Sequence, residues 1–198
     1  MNDVLRPLAA LALPLALLAC SAPAADPGEP PLAGAQIGGP FALTDQDGRP
    51  VTDRSYAGRY RIMYFGYTFC PDVCPVDVQK IAAGMKALAA EHPDKAAKVV
   101  PIFVSVDPER DTVPVVREFV RAFSPDMVGL TGSPEAVAEA AKAYGVYAQK
   151  GEPTEGGSYL VGHSRQAVLF GPDGKPLALV PTDRDADAVA AEIARWVA

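Results

Sequence analysis

The chain has 198 residues, with 18 Lys+Arg against 24 Asp+Glu and a formal net charge of −6. Hydrophobic residues make up 49% and charged residues 21%, which excludes a disordered polar chain, and the acidic balance argues against a nucleic-acid binder that works by neutralising phosphates. Three Cys and two His exclude a disulfide scaffold and a His-rich multi-metal site.

Leu8 to Ala19 is almost wholly apolar, interrupted by Pro14. A bilayer-spanning helix needs roughly 20 residues, so this shorter run reads as a secretory h-region behind a positive n-region at Arg6. It ends Leu17-Leu18-Ala19-Cys20, which resembles a bacterial lipobox, with Leu18 larger than the residue usual there. The resemblance implies that residues 1–19 are a removed signal peptide. Cys20 then becomes a lipidated N-terminus on the periplasmic or extracytoplasmic side of a bacterial membrane, where disulfides persist. Ordinary signal-peptidase cleavage nearby is the competing reading. Residues 20–35, rich in Pro, read as a tether, and 36–198 as one folded domain without internal repeats.

Within that domain Phe41 to Val51, with Asp47-Gly48 at its turn, predicts a small hairpin. Arg61 to Tyr67 is a continuous apolar run, as in a strand buried on both faces. Val78, Ile81, Met85 and Leu88 recur at helical spacing. Val99 to Val106 predicts a second buried strand. Val116, Phe119, Val120 and Phe123 mark a second helix, and Met127 to Leu130 a short strand. Ser133-Pro134-Glu135 starts a helix that runs to Tyr144 and stops at Gly145. Gly151 to Ser158 reads as a flexible loop leading to His163. Ala167 to Phe170 and Leu177 to Val180 flank Gly171-Pro172-Asp173-Gly174 as a hairpin, and Val189, Ile193 and Trp196 lie on a final helix. The order predicts an α/β fold with a mixed central sheet: parallel strands in the middle, the late hairpin antiparallel.

Cys70 and Cys74 lie where the first buried strand gives way to a helix, the end of a strand where α/β sheets place their sites. With Cys70 before the helix and Cys74 in its first turn, both sulfurs fall on one side. The positive helix end favours thiolate. Such a pair can form a disulfide or hold a soft metal. A permanent structural bridge is the alternative, but it would close only a short loop, with a modest entropic gain. Of the two histidines, His92 precedes Pro93 at a polar helix end and reads as solvated. His163 is the candidate third ligand. A Cys₂His set suits copper, as Cu(I) or Cu(II); zinc competes, but a structural zinc site wants a fourth protein ligand.

Phe65-Gly66-Tyr67-Thr68-Phe69-Cys70-Pro71-Asp72-Val73-Cys74-Pro75, then Ser105 to Thr112, Gly129 to Gly132, His163-Ser164 and Gly171 to Gly174 resemble the Sco/SenC family. The resemblance covers about residues 36–195. It implies a thioredoxin-like fold with an N-terminal hairpin and an inserted helix/strand element, membrane-tethered on the outer side. It implies one copper per monomer on Cys70, Cys74 and His163. It further implies a role in building the dinuclear copper centre of cytochrome c oxidase, with the copper-bearing subunit, other copper chaperones or thiol reductants as partners. The family usually carries an acid before the metal-binding His, where this chain has Gly162. Asp107 and Asp111 match the loop after the second strand and read as turn and helix-cap residues. Asp72 reads as macrodipole complementarity at a helix start. The second function is thiol–disulfide oxidoreductase, an enzyme class, with Cys70 and Cys74 as the redox pair. A peroxiredoxin reading fails, because Met63 and Tyr67 stand where its Pro and Thr would precede Cys70.

Overall fold

The computed structural model describes residues 28–198; the signal-peptide reading of 1–19, Cys20 and the tether up to residue 27 lie outside the described residues. The chain forms β1 (Ala42–Asp45), β2 (Pro50–Thr52), a 3-10 turn (Asp53–Tyr56), β3 (Tyr60–Gly66), α1 (Val73–Glu91), α2 (Pro93–Ala96), β4 (Val99–Ser105), α3 (Val113–Phe123), β5 (Val128–Thr131), α4 (Pro134–Ala143), β6 (Ala148–Lys150), β7 (Val161–His163), β8 (Ala167–Phe170), β9 (Pro176–Val180) and α5 (Ala186–Trp196). Seven strands make one sheet in the order β2-β1-β5-β4-β3-β8-β9. β3, β4 and β5 run parallel, whereas β8 is antiparallel to β3 and β1 is antiparallel to β5. This is the mixed sheet expected from the order of strands and helices.

The period-two rule sorts the core. Ile62 and Tyr64 of β3 and Phe103 of β4 face one apolar layer, shared with Val78, Ile81 and Leu88 of α1, Val116 and Val120 of α3, and Ile193 of α5. Met63, Phe65, Ile102 and Val104 face the other, closed by Val137, Ala140 and Ala141 of α4. Both central strands are buried on both faces, which is why their sequences lack alternation. Leu32 is already seated on the sheet: its N–H donates to the Leu177 carbonyl, and its side chain packs against the second layer.

One element had no counterpart in the sequence reading. Residues expected to be loop around His163 form an antiparallel ribbon, β6 with β7, pairing Ala148 with His163 and Lys150 with Val161. This ribbon is a separate two-stranded sheet. All of β6 is exposed, so no apolar alternation announces it.

Candidate metal centre

β3 ends at Gly66, and the turn that follows closes with the Cys70 N–H donating to the Tyr67 carbonyl. α1 then starts at Val73. Its N-cap, Asp72, makes no side-chain capping bond, so the first-turn N–H groups are left open toward the cysteines. Cys74 is buried in the first turn; Cys70 is half-buried just before it, and neither is in a disulfide. Gly66 lies directly beneath. A Cβ there would come within 3.0 Å of Cys74 Sγ and 2.9 Å of the Tyr64 ring, so only glycine lets the strand end pass this close to the sulfur.

His163, at the end of β7, brings Nε2 to 3.1 Å from Cys74 Sγ. Its Nδ1 lies 2.8 Å from the Ser164 carbonyl. A carbonyl only accepts, so this contact places the ring proton on Nδ1 and leaves the Nε2 lone pair for the sulfurs or a metal. The Tyr67 ring stands edge-on to the imidazole, centroids 5.7 Å apart. The ligand atoms of Cys70, Cys74 and His163 all lie within 4.8 Å of one another. The three sequence candidates are therefore brought together, with His163 on a strand rather than in a loop. His92 is exposed, as expected.

The two thiols are unequal. Burial pushes Cys70 up, but the N–H groups of Cys74, Asp72 and Val73 outweigh it and hold Cys70 below its ordinary value. Burial pushes Cys74 up to about 12, and the neighbouring Cys70 sulfur adds to the shift. The pair thus offers one thiol that ionises more readily than usual and one that gives up its proton only to a strong competitor.

Two supports of the site were not legible in the sequence. Asp111, read as a cap, is not one: Thr112 is the N-cap of α3. The buried Asp111 carboxylate instead accepts from Thr68 N–H (3.0 Å), Thr68 Oγ1 (2.6 Å) and Ser105 Oγ (2.6 Å), tying the turn before Cys70 to the end of β4. Asp107 does support a turn, its carbonyl accepting from Arg110 and Asp111 N–H. Its carboxylate also pairs with Arg110 and accepts from the Tyr159 hydroxyl at 2.7 Å, which anchors the approach to β7. On the other side, fully buried Asp77 of α1 accepts from Tyr64 and from Arg165. Asp77, between Val76 and Val78, carried only the signal of an acid among apolar neighbours, and Asp111, in the polar run Asp107 to Thr112, carried none. At Gly162 an added Cβ would make only ordinary 3.9 Å contacts, so space does not demand glycine there.

A cysteine pair opening the helix after a central strand, with an imidazole brought to it, defines a thioredoxin-like protein suited to soft-metal or thiol chemistry. The chain belongs to the SCO1/SenC family, whose model matches residues 29–198. It is 46% identical over 140 residues to Protein SenC of Rhodobacter capsulatus, covering 71% of this chain and 61% of that one. The structure of Bradyrhizobium japonicum ScoI with copper bound is 40% identical, with a TM-score of 0.74, and the match covers 81% of this chain and 99% of that chain. BsSco, described as a member of the Sco family of cytochrome c oxidase assembly proteins with a disulfide switch, is 26% identical at a TM-score of 0.59, over 79% of this chain and 90% of that one. The chain spans about half the length of the curated relatives it matches, from 47% to 62%. Among the described residues no helix is long and apolar enough to cross a membrane.

Proposed function

We propose that this chain binds one copper ion through Cys70, Cys74 and His163 and assists assembly of the dinuclear copper centre of cytochrome c oxidase. The observation that carries the reading is the convergence of two sulfurs and one imidazole nitrogen within 4.8 Å. Two thiolates and a neutral imidazole suit copper, and the copper-bound relative supports the choice. The lipobox-like Leu17 to Cys20 supports a lipid anchor that holds the domain outside the cytoplasm. The partners on this reading are the oxidase's copper-bearing subunit and the chaperones or thiol reductants that load or reset the site. Titration of the reduced chain with copper tests it. We expect one copper per chain, with loss of binding in Cys70→Ala and Cys74→Ala and a marked drop in affinity in His163→Ala. Unchanged affinity in His163→Ala removes the three-ligand site.

A second reading rests on the inequality of the thiols: Cys70 and Cys74 act as a thiol–disulfide oxidoreductase pair, with Cys70 attacking. The disulfide switch described for BsSco supports it. Its test is the reduction potential and exchange rate of the pair. A potential below about −300 mV with slow exchange counts against it.

A further inference from the structure

His163 does not sit on the main sheet. Its strand pairs only with β6, in a ribbon hydrogen-bonded to no other strand, and an isolated two-stranded hairpin is marginal in water. Cys74 belongs to α1, packed against the main sheet, and Cys70 to the turn between β3 and α1. No backbone ladder therefore fixes the imidazole relative to the sulfurs; side chains must do it. The segment entering β7 is held by Tyr159, whose hydroxyl donates to Asp107 and whose carbonyl accepts from Arg110. The segment leaving β7 is held two residues after His163. There Arg165 donates from Nε to Asp77 Oδ2 at 3.2 Å and from Nη2 to Asp77 Oδ1 at 2.8 Å.

That second tie closes a ring of contacts. Asp77 lies three residues after Cys74 on α1 and is 0% exposed. Tyr64 donates to it at 3.0 Å. From Cys74 the path runs three residues along α1 to Asp77, across to Arg165, then along two residues of backbone to His163, and from Nε2 back to Cys74. A buried carboxylate needs a cation, and a planar guanidinium gripping it with two bonds fixes direction as well as distance. We propose that Arg165, gripped by Asp77, is a positioning residue that holds His163 over the Cys74 sulfur, so that breaking this ion pair converts a three-ligand copper site into a two-sulfur one. The inference rests on the copper reading above.

The test compares wild type, Arg165→Gln, Arg165→Lys, His163→Ala and the Arg165→Gln/His163→Ala double variant, each as the reduced full chain in detergent. The probes are Cu(II), read by nitrogen hyperfine coupling in electron paramagnetic resonance, and Cu(I), read by its transfer rate to a small chelator. Arg165→Gln is expected to lose most of the nitrogen coupling and to release copper about 10-fold to 100-fold faster, the span usual for groups that orient metal ligands. Arg165→Lys keeps a cation for buried Asp77, which protects the fold, but lacks the fork; it is expected to fall between. In the His163→Ala background the Arg165→Gln change is expected to alter release less than about twofold, because the ligand it positions is gone. Equal effects in both backgrounds, or full nitrogen coupling in Arg165→Gln, overturn the proposal. Absence of nitrogen coupling in wild type is a different failure: it removes His163 as a ligand and the copper reading with it.

Discussion

At the residue scale the two sulfurs divide the work. Cys70 faces the open N–H groups of α1 and ionises easily; Cys74 is buried against Tyr64 and Gly66 and holds its proton. Brief alkylation of the reduced apo chain at neutral pH is expected to label Cys70 well before Cys74, as read by peptide mass spectrometry; equal rates contradict the assignment. Copper loading requires both thiols deprotonated, so it releases protons and weakens as pH falls. The raised Cys74 value also predicts an alkaline limit on stability. The folded state keeps a proton that the unfolded chain surrenders, so this contribution is intact below the ordinary 9.0 and is lost as pH rises toward 12. Tyr56 and Tyr159, both raised by burial to about 12, act in the same direction. Urea unfolding of the apo chain is expected to show falling stability across pH 9 to 12, with a shallower fall in Cys74→Ala.

At the element scale the helices show where propensity and packing disagree. Gly84 on α1 is the closest approach to α5: a Cβ there would lie 2.2 Å from Val189 Cγ1. Helix propensity alone favours Gly84→Ala by about 1 kcal/mol, yet overpacking costs about 1–3 kcal/mol, so we expect a lower melting temperature. Asp111→Ala strands the Thr68 and Ser105 donors and is expected to cost about 3 kcal/mol, since each unsatisfied buried group costs about 1–3 kcal/mol. Melting curves check both. These two sites also mark what the sequence could disclose. β3, β4 and the apolar faces of α1, α3 and α5 were legible because burial leaves a period in the residues. So were Cys70 and Cys74, because their spacing is local. The polar, exposed β6 left no period, and Thr68 lies 43 residues from Asp111 and Arg165 lies 88 from Asp77, distances over which composition carries no signal. Asp111 therefore read as a helix cap, and nothing local singled out Asp77 or Arg165.

At the scale of the molecule the turn and helix that follow a central strand of the main sheet carry the cysteines, while the separate ribbon carries the histidine. Amides of β6 and β7 are expected to exchange with deuterium faster than those of β3 and β4, and copper loading is expected to slow exchange at Gly162 and His163 while leaving β4 unchanged. Uniform protection across both sheets before loading would contradict this division. On the copper reading, the division also sets the order in which a coordination shell comes apart. The two sulfurs lie four residues apart, Cys74 in the first turn of α1 and Cys70 in the short turn before it, which Asp111 ties to β4 through Thr68. The imidazole can leave alone, by a small swing of a ribbon that no ladder bonds to the sheet. An incoming protein thiol then meets an ion with one coordination position free and two bonds intact. Exchange would then proceed by association, and its pace would follow how often the hairpin opens rather than the strength of a metal–sulfur bond.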